Sequence, residues 1–146
     1  MVSPVTPLTD DEYARLLTFR MELRRFLRWS EEQAACIGLT PAQHQLMLAI
    51  RGHPDPRGPS VGELADYLGT RHHSAVQLID RAEQLGLVAR NREDNNDRRV
   101  VRLTLTKAGE EKLAELSTTH LEELQRLATF IHAVVEPSDR ARTTPY

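Results

Sequence analysis

The stretch Thr70–Thr106, TRHHSAVQLIDRAEQLGLVARNREDNNDRRVVRLTLT, decides the fold because it contains two patterns of different period. In its first part, Arg71–Leu87, apolar residues recur three and four positions apart, which predicts one apolar stripe along a helix. These apolar residues are Ala75, Leu78, Ile79, Ala82 and Leu85. We expect the Thr70 hydroxyl to cap the start of this helix, and Gly86 to end it in the left-handed conformation.

Two strands are predicted directly after this helix. Val88–Arg92 and Val100–Leu105 are rich in β-forming residues, and the second run alternates between apolar and polar positions. Glu93–Asp97 between them is a run of turn formers. A helix with a polar outer face followed by an arginine-rich hairpin is the plan of a winged helix. Such a helix can enter a DNA major groove while the hairpin reaches phosphates or the minor groove.

This stretch resembles the MarR family of multiple-antibiotic-resistance regulators. Asp97-Arg98-Arg99, five residues and then Leu105-Thr106 match the wing signature of that family. The run from Leu78 to Val88 is similar to the end of its recognition helix, and the resemblance extends over roughly residues 10–135. It implies a dimeric transcription regulator, often a repressor that a small ligand releases from DNA.

The candidate DNA-contacting residues lie on the polar face of the helix and on the hairpin. On the helix, Arg and Gln are expected to read bases through bidentate hydrogen bonds, whereas Ser74 is expected to contact phosphate. The predicted set is Arg71, His72, Ser74, Gln77, Arg81, Arg90, Arg92, Arg98 and Arg99.

Two acidic residues are predicted to orient the wing. By similarity to the family, one wing arginine is expected to pair with Asp80 and fix the angle of the hairpin. Arg99 is the expected partner. Asp97 at the hairpin tip would be unfavourable beside phosphate unless it holds an arginine. The alternative, a flexible hairpin with only local ion pairs, stays open from the residues alone.

The overall charge does not favour binding to nucleic acid, but the distribution of charge along the chain does. The 146-residue chain has a formal net charge of −2. Residues 71–102 contain seven arginines and five acidic residues, a net charge of +2, so the rest of the chain carries −4. A two-fold dimer would therefore place two positive patches on one side, as an oriented DNA reader requires.

Helix-start signals divide the remaining chain. Thr9–Glu12, Thr40–Gln43 and Ser60–Glu63 each read as a capping box, and three prolines between His53 and Pro59 predict a surface loop. The predicted fold class is mainly α with a small β-hairpin wing, in one domain over residues 1–146. Its parts are dimerisation helices at 10–37 and 107–135, a winged helix-turn-helix lobe at 40–106, and a tail at 136–146.

The predicted function is a homodimeric, ligand-responsive repressor that binds double-stranded DNA at a pseudo-palindromic operator in the cytoplasm. An effector of unknown identity is expected near Trp29, His44 and Met47, in a cleft beside the dimer helices. We expect no membrane segment, because no apolar run approaches the ~20 residues of a spanning helix.

Other function classes have less support. A winged-helix dimer that serves as a protein-interaction module remains an alternative. A redox sensor based on Cys36 is a second one, although its acidic and apolar neighbours do not favour a reactive thiolate. No histidine or cysteine spacing resembles a metal site, no cofactor motif is present, and no catalytic motif predicts an enzyme.

Overall fold

A computed structural model describes residues 5–95 and 98–136, with the side chains of 93–95, 98 and 99 left out. It contains five helices and one hairpin within those ranges: α1 Asp10–Cys36, α2 Pro41–Arg51, α3 Val61–Leu68, α4 His72–Gln84, β1 Val88–Asn95, β2 Arg98–Leu105 and α5 Lys107–Val135. The predicted mainly α fold with a hairpin wing is confirmed. No helix in these described ranges is long and apolar enough to cross a membrane.

The helix starts follow the predicted capping residues in α1, α2 and α3. The Thr40 hydroxyl accepts a hydrogen bond from the Gln43 backbone amide, and the Gln43 side chain accepts one from the Thr40 amide, which completes a capping box. In α3 the Ser60 hydroxyl accepts from the Glu63 amide. These bonds satisfy backbone donors that the first helical turn leaves free.

The predicted Thr70 cap is wrong, because Thr70 belongs to the end of α3. Its amide donates to the Ala65 carbonyl at 3.0 Å, after Gly69 in the left-handed conformation, and Arg71 takes the N-cap position of α4 without a side-chain bond. The expectation for Gly86 is confirmed, since its φ is 73° and the next amide returns to the Ala82 carbonyl.

The wing is longer than predicted. β1 and β2 are antiparallel, with Val88 opposite Leu105 and Asn95 opposite Arg98. Charged residues that read as turn formers are therefore paired in the ladder, as Glu93 is with Val100. Strand pairing overrides the weak local preference for a turn.

The chain divides into two compact units. The unit Ser30–Thr119 contains α2, α3, α4 and the hairpin, packed around one apolar core. Its most buried side chains include Leu46, Met47, Leu64, Ile79 and Leu103. The last part of α1 and the first part of α5 supply Ala34, Leu113 and Leu116 to the same core.

The other unit contains the chain up to Trp29 and from His120 onward. Its two helix segments run antiparallel, since Arg15 donates to the Val134 carbonyl while Trp29 packs on the His120 ring at 4.8 Å. Between these ends, Arg126 pairs with Glu123 at 2.6 Å and approaches Glu22 at 3.7 Å.

Candidate nucleic-acid interface

The two sides of α4 differ in burial. Ala75, Ile79 and Ala82 are buried in the core of the lobe, at the spacing predicted for an apolar stripe. The predicted reader residues Arg71, His72, Gln77 and Arg81 are exposed, and Ser74 is half-buried. Because α4 is preceded by α3 and a short turn, it occupies the second position of a helix-turn-helix, from which a helix can present its polar face to a groove.

Arg90 joins the wing to α4. Register places Arg90 opposite Leu103, on the face of the hairpin that packs inward, so its guanidinium points toward α4. It is ion-paired with Asp80 and lies 3.0 Å from Glu83. The hydrogen bond to Asp80, with a further contribution from Glu83, raises the pKa of Arg90 above its ordinary value. Arg90, predicted to contact DNA, is thus engaged with two carboxylates of α4.

The predicted orienting residues have different positions. Asp80 is paired with a wing arginine as expected, and the partner described is Arg90. The side chain of Arg99, the expected partner, lies outside the described residues, as does that of Arg98. Asp97 also lies outside them.

Asn91 and Arg92 are exposed polar residues that point to opposite faces of the hairpin, because they are consecutive in β1. Arg92 lies on the same face as Arg90, whereas the Asn91 side-chain amide donates to the Thr104 hydroxyl at 2.8 Å on the other face. This cross-strand bond stiffens the hairpin below the exposed arginine. Arg92 is therefore the described wing arginine that is positioned for contact with a nucleic-acid backbone.

A contact that sequence reasoning missed connects the wing to the loop before α3. The Arg102 guanidinium donates to the Gly58 carbonyl at 3.0 Å and lies 3.9 Å from Asp55. The backbone adds a bond from the Leu103 amide to the Pro59 carbonyl at 2.9 Å. The alternation of β2 predicts that Arg102 and Leu103 point to opposite faces of the hairpin. Only the fold shows which loop Arg102 contacts.

Another loop contact holds α3. The His53 ring lies between α3 side chains, with Nε2 3.0 Å from Glu63 and Nδ1 3.1 Å from the Tyr67 hydroxyl. Since Glu63 also accepts a hydrogen bond from the Ser60 hydroxyl, the first turn of α3 is tied to the loop on both sides. The first helix of the helix-turn-helix is therefore fixed by polar contacts as well as by its apolar face.

The residues predicted to bind an effector lie in different surroundings. Met47 is fully buried in the core of its unit, and His44 is buried on the same helix. Trp29 belongs to the other unit, where it packs between Phe26 and His120. Cys36 is exposed at the end of α1. In the part of the chain that the structure describes, no group of three or more His, Cys, Asp or Glu residues could hold a metal ion.

Comparison with known proteins matches part of the chain to a protein family. Residues 37–99 match the model of the MarR family. The HTH-type transcriptional repressor MdtR of Bacillus subtilis (strain 168) is 30% identical to this chain over 94 residues, which is 64% of this chain and 58% of the repressor. The match thus spans less than two thirds of the repressor's length.

Solved structures share the fold. A MarR family protein from Bacillus stearothermophilus has a TM-score of 0.68 at 24% identity, covering 92% of this chain and 88% of that one. AbsC, a MarR family transcriptional regulator from Streptomyces coelicolor, has 0.67 at 20% identity, covering 94% and 89%. A mutant of MepR from Staphylococcus aureus bound to an oligodeoxyribonucleotide has 0.64 at 18% identity, covering 92% and 88%. At these identities the likeness establishes the winged-helix fold.

Proposed function

We propose that the protein is a sequence-specific DNA-binding transcription regulator of the MarR family, whose model matches residues 37–99. The observation that carries the proposal is the exposed polar face of α4, where Arg71, His72, Gln77 and Arg81 stand opposite a buried apolar stripe. A major groove is wide enough to admit such a helix.

Within this interface the residues have separate roles. Arg71, Gln77 and Arg81 read base edges, His72 contributes to the same face, and the half-buried Ser74 contacts phosphate. Arg92 of the wing binds the DNA backbone, together with Arg98 and Arg99. Arg90 acts through Asp80 and orients the wing.

The active species is a homodimer formed through α1 and α5. Tyr13, Leu17 and Met21 lie one helical turn apart on α1 and are each about 60% exposed, at 59%, 61% and 60%. Leu16, Leu27 and Leu121 of the same unit are also more than half exposed. Several large apolar side chains exposed along one helix are typical of a protein contact. A second copy covers this surface and places two recognition helices on one face.

We further propose that the regulator is a repressor that responds to a small molecule. A ligand can release the dimer from DNA only if it binds the DNA-binding conformation less tightly than a second conformation. In that second conformation the spacing of the two α4 helices does not match the operator. MdtR, the curated relative, is named as a repressor, which favours repression over activation.

Two experiments test the proposal. In the first, the protein retains fragments from a genomic DNA library at several salt concentrations, with and without candidate ligands. Enrichment of a defined sequence whose affinity falls steeply with salt supports the proposal, because phosphate contacts release counterions. Equal, weak retention of all fragments contradicts it and favours the protein-interaction module.

The second experiment tests the dimer. Leu17→Glu places a charge on the exposed α1 stripe and is expected to yield monomers that bind operator poorly. Leu48→Glu is the matched control, since Leu48 on α2 is also 53% exposed but lies in the other unit. Sedimentation measures the mass of both variants. A Leu17→Glu protein that stays dimeric would contradict the proposed interface.

A further inference from the structure

Among the wing arginines whose side chains the structure describes, Arg102 differs from Arg90 and Arg92 in its surroundings. Its side chain is only 17% exposed, although it stands on a two-stranded hairpin. One guanidinium nitrogen donates to the Gly58 carbonyl at 3.0 Å and lies 3.9 Å from an oxygen of Asp55. Its charge is therefore directed into the loop that precedes α3.

That loop presents a backbone carbonyl and a carboxylate to Arg102. Arg57 holds the Asp55 carboxylate through its guanidinium at 2.8 Å and through its backbone amide at 2.9 Å. The Gly58 amide closes the turn by donating to the Asp55 carbonyl at 2.9 Å. The hydrogen bonds from Arg57, assisted by the charge of Arg102, hold the pKa of Asp55 well below its usual range. Asp55 therefore carries its negative charge at neutral pH.

The backbone brings loop and strand into close contact at this point. The backbones of Ser60 and Arg102 form an isolated antiparallel β-bridge, and the Leu103 amide donates to the Pro59 carbonyl at 2.9 Å. Gly58 has a φ of 92°, and a Cβ there would lie 1.9 Å from the Leu103 carbonyl oxygen. Only glycine allows this approach. Since Ser60 caps α3, the contact links the base of the wing to the helix-turn-helix.

We propose that Arg102 is a positioning residue of the DNA interface, which fixes the base of the wing against the Asp55–Ser60 loop and does not bind phosphate. This inference rests on the proposed DNA-binding function. A phosphate contact would require Arg102 to leave the Gly58 carbonyl and the ionised Asp55. Its contribution to affinity is the reduced freedom of the wing before DNA binds.

Hydrogen exchange of the Leu103 amide in DNA-free protein tests the contact itself. Arg102→Gln removes the charge and Asp55→Asn removes its partner, so both are expected to accelerate this exchange about tenfold, because the wing base opens more often. Arg92→Gln is the matched control, since Arg92 is an exposed arginine of the same hairpin, and it should leave the exchange unchanged. If Arg102→Gln does not fold, Asp55→Asn still supplies the measurement.

Operator binding as a function of salt separates positioning from phosphate contact. Arg102→Gln and Asp55→Asn should weaken binding about tenfold with an unchanged slope of log affinity against log salt. Arg92→Gln should reduce the slope by about one, as expected for a lost phosphate contact. Arg102→Lys should bind no better than Arg102→Gln, because the flexible lysine stem does not hold its nitrogen where the planar guanidinium places Nη1, near both the Gly58 carbonyl and Asp55.

The outcomes are distinct. Unchanged Leu103 exchange in both Arg102→Gln and Asp55→Asn would overturn the inference. A salt slope reduced by about one in Arg102→Gln, with affinity restored by Arg102→Lys, would also overturn it and assign Arg102 to phosphate. If the unmodified protein binds no defined sequence, the proposed function fails, while the exchange measurement still decides whether Arg102 holds the wing base.

Discussion

Arg90 of β1 is ion-paired with Asp80 of α4, so this pair of side chains connects the hairpin to α4. Glu83, one turn further along α4, lies 3.0 Å from the same guanidinium. The fork of an arginine suits this double contact, because its donors are fixed in a plane. In the proposed interface, the hairpin and α4 therefore approach DNA in a fixed relative orientation.

Asp80→Ala is expected to weaken operator binding about three- to tenfold while lowering the free energy of unfolding by no more than about 1 kcal/mol, because the pair is partly exposed. Loss of an acidic group near DNA would by itself strengthen binding. A decrease therefore shows that wing orientation dominates. Titration of labelled operator measures the affinity. Glu111→Ala, which removes one exposed acidic residue from α5, is the control. Unchanged or tighter binding by Asp80→Ala would refute the orienting role.

Gln77→Ala tests base reading. A bidentate contact contributes about 1–3 kcal/mol of discrimination, so operator affinity should fall about 5- to 150-fold. Affinity for unrelated DNA should change little, because base contacts add nothing there. Competition between operator and unrelated DNA gives the ratio directly. Gln45→Ala, at another exposed glutamine that lies on α2, should leave this ratio intact. If both variants behave alike, α4 does not read sequence through Gln77.

Asp55 predicts a particular dependence of stability on pH. Its pKa in the folded protein is lowered, chiefly by hydrogen bonds from Arg57. A lowered folded pKa means that the stabilisation is fully present above the unfolded pKa, and is lost as pH falls through the folded value. The stability difference between the native protein and Asp55→Asn should thus be constant from about pH 6 to 8, and shrink below about pH 4. Denaturant unfolding at several pH values measures it. If the stability difference between the native protein and Asp55→Asn were already lost near pH 6, the lowered pKa of Asp55 would be contradicted.

Gly109 and Gly62 give opposite expectations for the same substitution. Alanine in place of glycine usually stabilises a helix by up to about 1 kcal/mol. In α5, however, a Cβ at Gly109 would lie 2.2 Å from the Leu87 carbonyl oxygen, whereas at Gly62 in α3 the nearest atom is the Ser60 hydroxyl at 3.9 Å. Gly109→Ala should lower the melting temperature and Gly62→Ala should raise or preserve it. Equal stabilisation by both would show that α5 does not approach Leu87 so closely.

Local chemistry was sufficient to predict the starts of α2 and α3. Thr40 and Ser60 cap their helices through bonds that depend only on residues three positions away, and Gly86 adopts its conformation because it has no Cβ. The apolar stripe of α4 followed from its spacing. The resemblance to the MarR family, which rested on the wing signature and the recognition-helix end, is confirmed.

Contacts that depend on register or on distant loops could not be predicted. Which face of β1 bears Arg90 follows only when Arg90 is known to lie opposite Leu103. The meeting of Arg102 with Gly58 joins residues 44 positions apart, and no local pattern indicates it. Thr70 was assigned to the wrong helix because the end of α3 and the start of α4 compete for the same short turn. The DNA-contacting residues of α4 stay a prediction.

The central claim is that two copies of the chain present two recognition helices about one turn of duplex apart. Inserting about 5 bp between the half-sites of the selected operator turns one of them to the opposite side of the DNA. The account predicts two chains per intact operator, and a loss of at least a hundredfold in affinity on insertion, down to the level of an isolated half-site. Equal affinity for the intact and the extended operator, or one chain per operator at saturation, would contradict it.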